Sequence, residues 1–581
     1  MALLAATAVS VKSKQVESPE VGVPWLYTGL IVWAFFWAFL DAYTIGANDV
    51  ANAFANAVGA GTLNHRQACA IAAVCELLGV IALGSNVTDT IRKKMVAVDL
   101  FYNDPYVLAL GMSMVNVGSG LWVLAATLLS MPVSTTHSVV GATLGIGIAA
   151  FGVGGVNWDF NDKGFTQVIA SWFISPVLAG TLAAIIYMSC KILVLQHPQE
   201  EALKRGLLLM PVYLFFTFGI IWGFMFMKGI PAMKKTPYEV SVPLTVGLAV
   251  FHAILGVVLT VPWLRRKIID RENLPWYSMA YTPCIKVGQY GYASEGKDAE
   301  KSAGAMPQTH SMQPMQMQMQ MQQPYGMPMQ QMPSYGMPMQ QMPSYGGMPM
   351  QYGMPVVGSA FGLEDFGKNV APGMYEDVGA KREEDAAMHA SAFASDDKVE
   401  ELFKFLQLTS CCFFSIAHGA NDVANAVGPF ATVWAVYSTG AVSKKMPVPI
   451  WVLIYGGLAL DIGLITMGHH IMKALGNRIT LQTPSRGFCI TLGAMFTAMF
   501  ASRLGIPVST THCISGATIA VGLCNGTTKA INLRLVGVIF GGWVITCPAA
   551  GLLTGILFLG VASAPRPMAQ NGFFTGEVPE M

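Results

Sequence analysis

The chain has 581 residues, 53% of them hydrophobic and only 12% charged, with a formal net charge of +1 and a mean hydropathy of +0.49. Soluble domains carry roughly 25% charged residues, so this composition excludes an ordinary soluble protein, and the near-zero charge gives no footprint for a nucleic acid. The ten cysteines are scattered, several inside apolar runs (Cys69, Cys75, Cys190, Cys489, Cys547), with neither zinc spacing nor a disulfide framework. They read as small buried apolar residues and imply no cofactor.

Residues 1–21 read as a mixed polar tail, and the first apolar run, Val21 to Leu40, is too long for a cleavable signal core. Runs of about twenty apolar residues suffice to cross a bilayer core of ~30 Å as helix. Such runs fall near 22–45, 67–84, 105–130, 166–190, 208–228 and 240–264, and again near 403–418, 449–475, 488–503 and 534–562. Two more apolar stretches, 132–154 and 507–525, are interrupted by Pro, Ser, Thr and Gly. They read as broken helices or re-entrant hairpins. The layout is therefore a tail (1–21), a first membrane half (22–264), a central loop (265–402), a second half (403–562) and a C-terminal tail (563–581). The chain is all-α, polytopic and bathed in lipid.

The central loop is of different composition. The decamer Tyr-Gly-Met-Pro-Met-Gln-Gln-Met-Pro-Ser stands at 325–334 and again at 335–344. It has no helical or strand period and reads as an unordered linker. Arg265, Arg266, Lys267 and Arg271 directly follow a span, which favours a cytoplasmic loop. Asn86-Val-Thr88 and Asn525-Gly-Thr527 match the glycosylation pattern at the ends of apolar runs, and read as chance matches.

The strongest signal is duplication. Gly46-Ala-Asn-Asp-Val-Ala-Asn-Ala53 recurs unchanged at 419–426, and Pro132-Val-Ser-Thr-Thr-His137 recurs at 507–512. Ala47 to Pro132 is 85 positions and Ala420 to Pro507 is 87. Duplicated membrane halves are typical of secondary transporters, whose sites lie where the repeats meet, on discontinuous helices.

Each motif suits a different charge. Asn48, Asp49 and Asn52, with their copies Asn421, Asp422 and Asn425, put a carboxylate between amides at helical spacing. A carboxylate at membrane depth is costly unless compensated. Carboxylate and amide oxygens suit a hard cation such as sodium, and the carboxylate alone suits a proton. In the second motif, proline opens a helix and Ser134, Thr135 and Thr136, like Ser509, Thr510 and Thr511, occupy its first turn. Free backbone N–H groups and the positive helix end make an anion site there, although N-capping accounts for one hydroxyl per motif. His137 and His512 follow the hydroxyls, but adjacent positions do not build a catalytic triad, and the protein is not read as an enzyme. Glu76 sits within an apolar run and needs a partner, a possible coupling role; Asp461 falls one position off its mirror place.

These motifs resemble the signatures of the inorganic phosphate transporter (PiT) family, as do Thr483-Pro-Ser-Arg-Gly487 and Glu76. The resemblance implies two inverted repeats, re-entrant helical hairpins bearing the Ser/Thr motifs, a homodimer, a plasma-membrane location and symport of phosphate with sodium or protons. It places cations at Asn48, Asp49, Asn52, Asn421, Asp422 and Asn425. It places phosphate at Ser134, Thr135, Thr136, Ser509, Thr510 and Thr511. One departure is visible: the family often has glutamate where this chain has Thr491. Moving one charge across 100 mV is worth ~2.3 kcal/mol, so anion import into a negative interior requires cations that outnumber the anion's charges. The competing readings are proton coupling, another oxyanion, an uncoupled anion channel and a phosphate sensor.

Overall fold

The computed structural model describes residues 25–83, 98–160, 164–228, 236–292, 378–442, 448–504 and 508–563. The decameric repeats, the tails and Asn86 lie outside them. Among the described residues every element of length is a helix, and nine are long and apolar enough to cross a membrane.

The first half contains α1 (Trp25–Ile45), a π-helical turn at Gly46–Val50, α2 (Ala51–Gly59), α3 (His65–Leu83), α4 (Pro105–Leu128) and α5 (Thr135–Phe151). It continues with α6 (Phe165–Cys190), α7 (Gln199–Lys228) and α8 (Tyr238–Leu255), the last extended by π-helical turns as far as Ile269. After α9 (Val378–Ala390) come α10 (Asp397–Thr439), α11 (Ile450–Met467), α12 (His469–Gly476), α13 (Pro484–Leu504), α14 (Thr510–Leu523) and α15 (Leu533–Ala562). The expected spans match these helices to within a few residues, except that α7 begins earlier than 208, α10 runs far beyond 403–418 and the 449–475 run divides at Gly468 into α11 and α12. The 132–154 stretch, expected as a broken helix, holds continuous α5, which with the turn after it is long enough for a span. Helix α10 spans 43 residues, about 65 Å of rise. Its 14-residue neighbour α14 rises only about 21 Å, too short for a ~30 Å core.

Local chemistry sets the ends. Pro105 opens α4, where its missing N–H is harmless. Ser134, Ser509, Asp396 and Asn532 cap their helices by accepting a backbone N–H. Gly440, at φ +66°, closes α10 in the left-handed conformation.

The flanks of the 265–402 stretch are built rather than loose, which corrects the expectation that all of it is a linker. Arg266 pairs with Glu272 at 2.7 Å and also donates to the carbonyls of Thr282, Ile285 and Lys286. On the other side, Glu400 is buried and accepts from the Ser485 N–H and hydroxyl, each at 2.8 Å. Fully buried Arg486 donates to the Phe393 carbonyl at 2.6 Å and to Asn525 Oδ1 at 2.8 Å. Charged side chains in these flanks therefore fold back onto the helical body. Asn525 is engaged inside this network.

Packing is reciprocal between the halves. α1 lies on α4 and α11, α10 on α3 and α13, α5 on α15 and α14 on α6. A Cβ on Gly46 would come within 1.9 Å of the Leu460 carbonyl oxygen, and one on Gly419 within 2.4 Å of the Glu76 carbonyl oxygen. Gly463 meets Tyr43 and Gly79 meets Ile416 in the same way, at 1.8 and 2.0 Å. Small residues permit this close approach in lipid.

Gly463→Ala should therefore cost about 1–3 kcal/mol or more through overpacking, whereas Gly541→Ala, with nothing within 4 Å, should be neutral or slightly stabilising. Thermal midpoints of the two purified variants check this; equal midpoints would contradict it.

Candidate functional site

The π-helical turn at Gly46–Val50 displaces Asp49 from the regular helical face, and π turns inside helices recur at functional sites. In the second half the same motif sits inside uninterrupted α10. Asp49 and Asp422 are both buried, and with His418 they offer ligand atoms that all lie within 4.8 Å of one another.

Each carboxylate meets threonines from both halves or its own. The Thr135 and Thr511 hydroxyls donate to opposite oxygens of Asp49, and the Thr135 N–H points to Oδ2 at 3.4 Å. Asp49 thus occupies the anion-favouring start of α5. Thr510 donates to Asp422 Oδ2 at 3.4 Å. Asn52 donates to Asp49 Oδ1 and to Thr511 Oγ1, both at 2.9 Å. Asn425 donates to Thr135 and Thr136, both at 3.3 Å, and to Asp422 Oδ1 at 3.5 Å. A carboxylate can only accept, so the amide NH2 of each asparagine must face it. The Oδ1 atoms of Asn52 and Asn425 are then left buried with no hydrogen-bond partner among the described residues. Two carboxylates, two amide oxygens and four hydroxyls form an oxygen-rich donor set suited to hard cations.

Not every expected residue joins it. Asn48 donates to Thr127 Oγ1 and the Met131 carbonyl and accepts from the Val133 N–H, each at 3.0 Å. It braces the segment entering α5. Asn421 is half-buried and turns back to the Ala417 carbonyl at 3.0 Å. Ser134 and Ser509 accept the N–H groups of His137 and His512 at 3.2 Å, as ordinary caps. Both histidine rings are buried, 4.6 Å apart, against Trp172 and Trp543.

Sequence reasoning missed His418. Its Nε2 lies 2.5 Å from Asp422 Oδ2 and its Nδ1 3.3 Å from Glu76 Oε2, while Ser415 donates to Glu76 Oε1 at 2.8 Å. Glu76 thereby gains the partner it required. In the register of the two motifs, His418 mirrors Ile45. The glycine contacts give the register expected from the sequence, with Glu76 on Leu460 and Asp461 one position off. Extending the motif comparison by one residue would have exposed the Ile45/His418 difference. The contact between Glu76 and His418 needed the fold.

A polytopic helical protein with a buried, oxygen-rich core shared by two halves has the architecture of a membrane transport protein. The profile of the phosphate transporter family matches residues 45–554. The phosphate-repressible phosphate permease of Neurospora crassa is 34% identical, over 91% of this chain and 96% of its own. The sodium-dependent phosphate transporter 2 of Homo sapiens is 29% identical, over 86% and 93%. A solved structure of a sodium-dependent phosphate transporter matches with a TM-score of 0.64 and 26% identity, covering 92% of this chain and all of that one. The chain belongs to the phosphate transporter family. It is an integral membrane protein and not an enzyme.

Replacing His418 with its mirror residue, His418→Ile, leaves two buried carboxylates uncompensated and should cost about 3–5 kcal/mol. The double replacement His418→Ile with Glu76→Leu should recover part of that loss, since Ile45 and Leu460 pack fully buried in the other half. A double-mutant cycle on thermal stability measures the coupling; strict additivity would refute the pairing.

Proposed function

We propose that this protein is a sodium-coupled symporter that imports inorganic phosphate, with cations held at Asp49, Asn52, Asp422 and Asn425. The observation that carries this reading is the direct bonding of both Ser/Thr motifs onto the paired carboxylates. Two unit charges no more than 4.8 Å apart repel by at least roughly 3–4 kcal/mol at an effective dielectric of ~20, and His418 supplies at most one compensating charge. Cations bound between each carboxylate and its asparagine Oδ1 remove that repulsion.

The same geometry supports coupling. Thr135 and Thr511 are engaged by Asp49, and Thr510 by Asp422. Sodium at a carboxylate competes for the oxygens that hold these hydroxyls. The freed hydroxyls, Thr136 and the N–H groups at the starts of α5 and α14 then serve the phosphate oxygens. Each ligand favours the other, as linkage requires. Ser134 and Ser509 act by shaping those helix starts, and Asn48 by holding the α5 entrance. The repeated motifs and reciprocal packing support inverted repeats with re-entrant hairpins at α5 and α14. The family resemblance supports a homodimer in the plasma membrane. The hydrogen-bonded His418 favours one second reading, in which protons at Glu76 and Asp422 drive uptake.

Labelled phosphate uptake in transporter-deficient cells, with sodium and pH varied independently, separates the two. Sodium-dependent uptake at constant pH is expected, and uptake driven by a pH gradient without sodium would overturn sodium coupling. Asp49→Asn and Asp422→Asn should each abolish coupled uptake while surface expression persists; normal uptake in either would remove the carboxylates from the cation sites. Thr511→Val should weaken phosphate and sodium dependence together by roughly 10–100-fold, the worth of a hydrogen bond to a charged group. Thr511→Ser should restore both, and a change confined to one ligand would disprove the shared role.

A further inference from the structure

Two helical turns before Asn48, α1 carries another carboxylate that the paired centre does not use. Asp41 is fully buried, and neither of its oxygens has a hydrogen-bond partner among the described residues. The Ser119 side chain on α4 borders it, and no charged side chain among the described residues acts on it. α4 comes so close that a Cβ on Gly120 would lie 3.2 Å from Asp41 Cα. Asn48 meets Thr127 farther along, so α1 and α4 run parallel here. Asn116 therefore lies one turn toward the N-terminal end, on the face that carries Ser119 and Gly120. Helical side chains tilt toward the N-terminus, which aims the Asp41 carboxylate at the level of Asn116. Asn116 and Ser119 are fully buried, and both amide atoms of Asn116 and the Ser119 hydroxyl also have no partner among the described residues.

Packing does not require this polar set. In the register that places Asp49 on Asp422, Asp41 falls on Phe414. In the register that places Pro132 on Pro507, Asn116 falls on Thr491 and Ser119 on Ala494. The mirrored pair, α10 and α13, closes there with fully buried Phe414 and Ala494, and with Thr491 3.9 Å from the Cys411 thiol. The first half thus bears the cost of a desolvated carboxylate that the second half shows to be dispensable for the fold.

We propose that Asp41, Asn116 and Ser119 form a further binding site for one sodium ion, outside the Asp49–Asp422 centre. The carboxylate, the amide oxygen and the hydroxyl supply hard oxygen ligands, and a bound cation satisfies all three, whereas a single proton on Asp41 can be donated to only one of the Asn116 and Ser119 oxygens. The site is tied to the phosphate-facing helix, because Ser138 on α5 donates to the Ser119 carbonyl at 3.4 Å. Ser138 lies one turn after Thr135.

This site rests on the sodium reading of the paired centre, and the two fail differently. The test uses the purified full-length protein in proteoliposomes, with simultaneous 22Na and labelled phosphate fluxes. Asp41→Asn is nearly isosteric, and Ser119→Ala together with Asn116→Leu provides a second disruption that leaves the carboxylate in place. Both variants should still accumulate phosphate, with fewer sodium ions per phosphate than the wild type and a shallower sodium dependence. A wild-type flux ratio and sodium dependence in every correctly folded variant would overturn the site while leaving the paired centre standing. An unchanged ratio with a shifted pH profile in Asp41→Asn would assign a proton and also overturn it. Wild-type uptake indifferent to sodium would overturn the paired-centre reading, and this one with it.

Discussion

Asp49 and Asp422 sit within 4.8 Å of each other in a core that also excludes solvent from the groups around them. Two carboxylates so placed repel, and both are desolvated; neither cost is acceptable in lipid without dedicated partners. Much of the surrounding structure supplies those partners. The π-helical turn redirects Asp49, the starts of α5 and α14 deliver threonines, and Asn52 and Asn425 turn their NH2 groups onto the acids. Glycines bring the helices near enough for these contacts, at Gly46 and Gly463 on one side and Gly419 and Gly79 on the other.

The scaffold is reciprocal, but its charge is not. His418 and Glu76 occupy places that Ile45 and Leu460 fill in the other half, so the imidazole reaches the pair from the Asp422 side alone. Asp41 and Asn116 reverse the bias, standing where Phe414 and Thr491 mirror them. Residues that obey the repeat hold the helices together and present the shared ligands. Residues that break it distinguish one half from the other, and a carrier that binds several ions in order needs such a difference.

The Met-, Gln- and Pro-rich composition of the central loop conceals how much of its edges belongs to the helical body. Glu400 and Arg486 are each buried and each saturated by backbone and side-chain partners, which is the condition for a charged group to persist in an interior. Phe393 and Asn525 complete that network, joining the segment before α10 to the segment after α14. Arg266 does the same for the segment after α8. Positive charge next to a span therefore serves packing here.

The sequence by itself determined the membrane class, the duplication, most span positions and the pairing of an acidic motif with a hydroxyl motif. Those properties reside in composition, hydrophobic run length and exact repetition, all of which survive in one dimension. Proline followed by hydroxyls was also enough to expect a helix start at each of the two motifs. Tertiary structure alone decided which atoms meet. Asn48 and Asn52 are one turn apart in the same motif, yet one braces a backbone segment and the other reaches the threonine of the opposite half. Thr511 reaches Asp49, which is 462 positions away, and no local pattern encodes so distant a contact. His418, a single residue outside the repeated motif, acquires its role only because α10 packs on α3 and brings Glu76 to its other nitrogen. Burial likewise turns Asp41 from one acid near a span's end into a carboxylate in need of a ligand, since desolvation is a property of the packed neighbours and not of the residue.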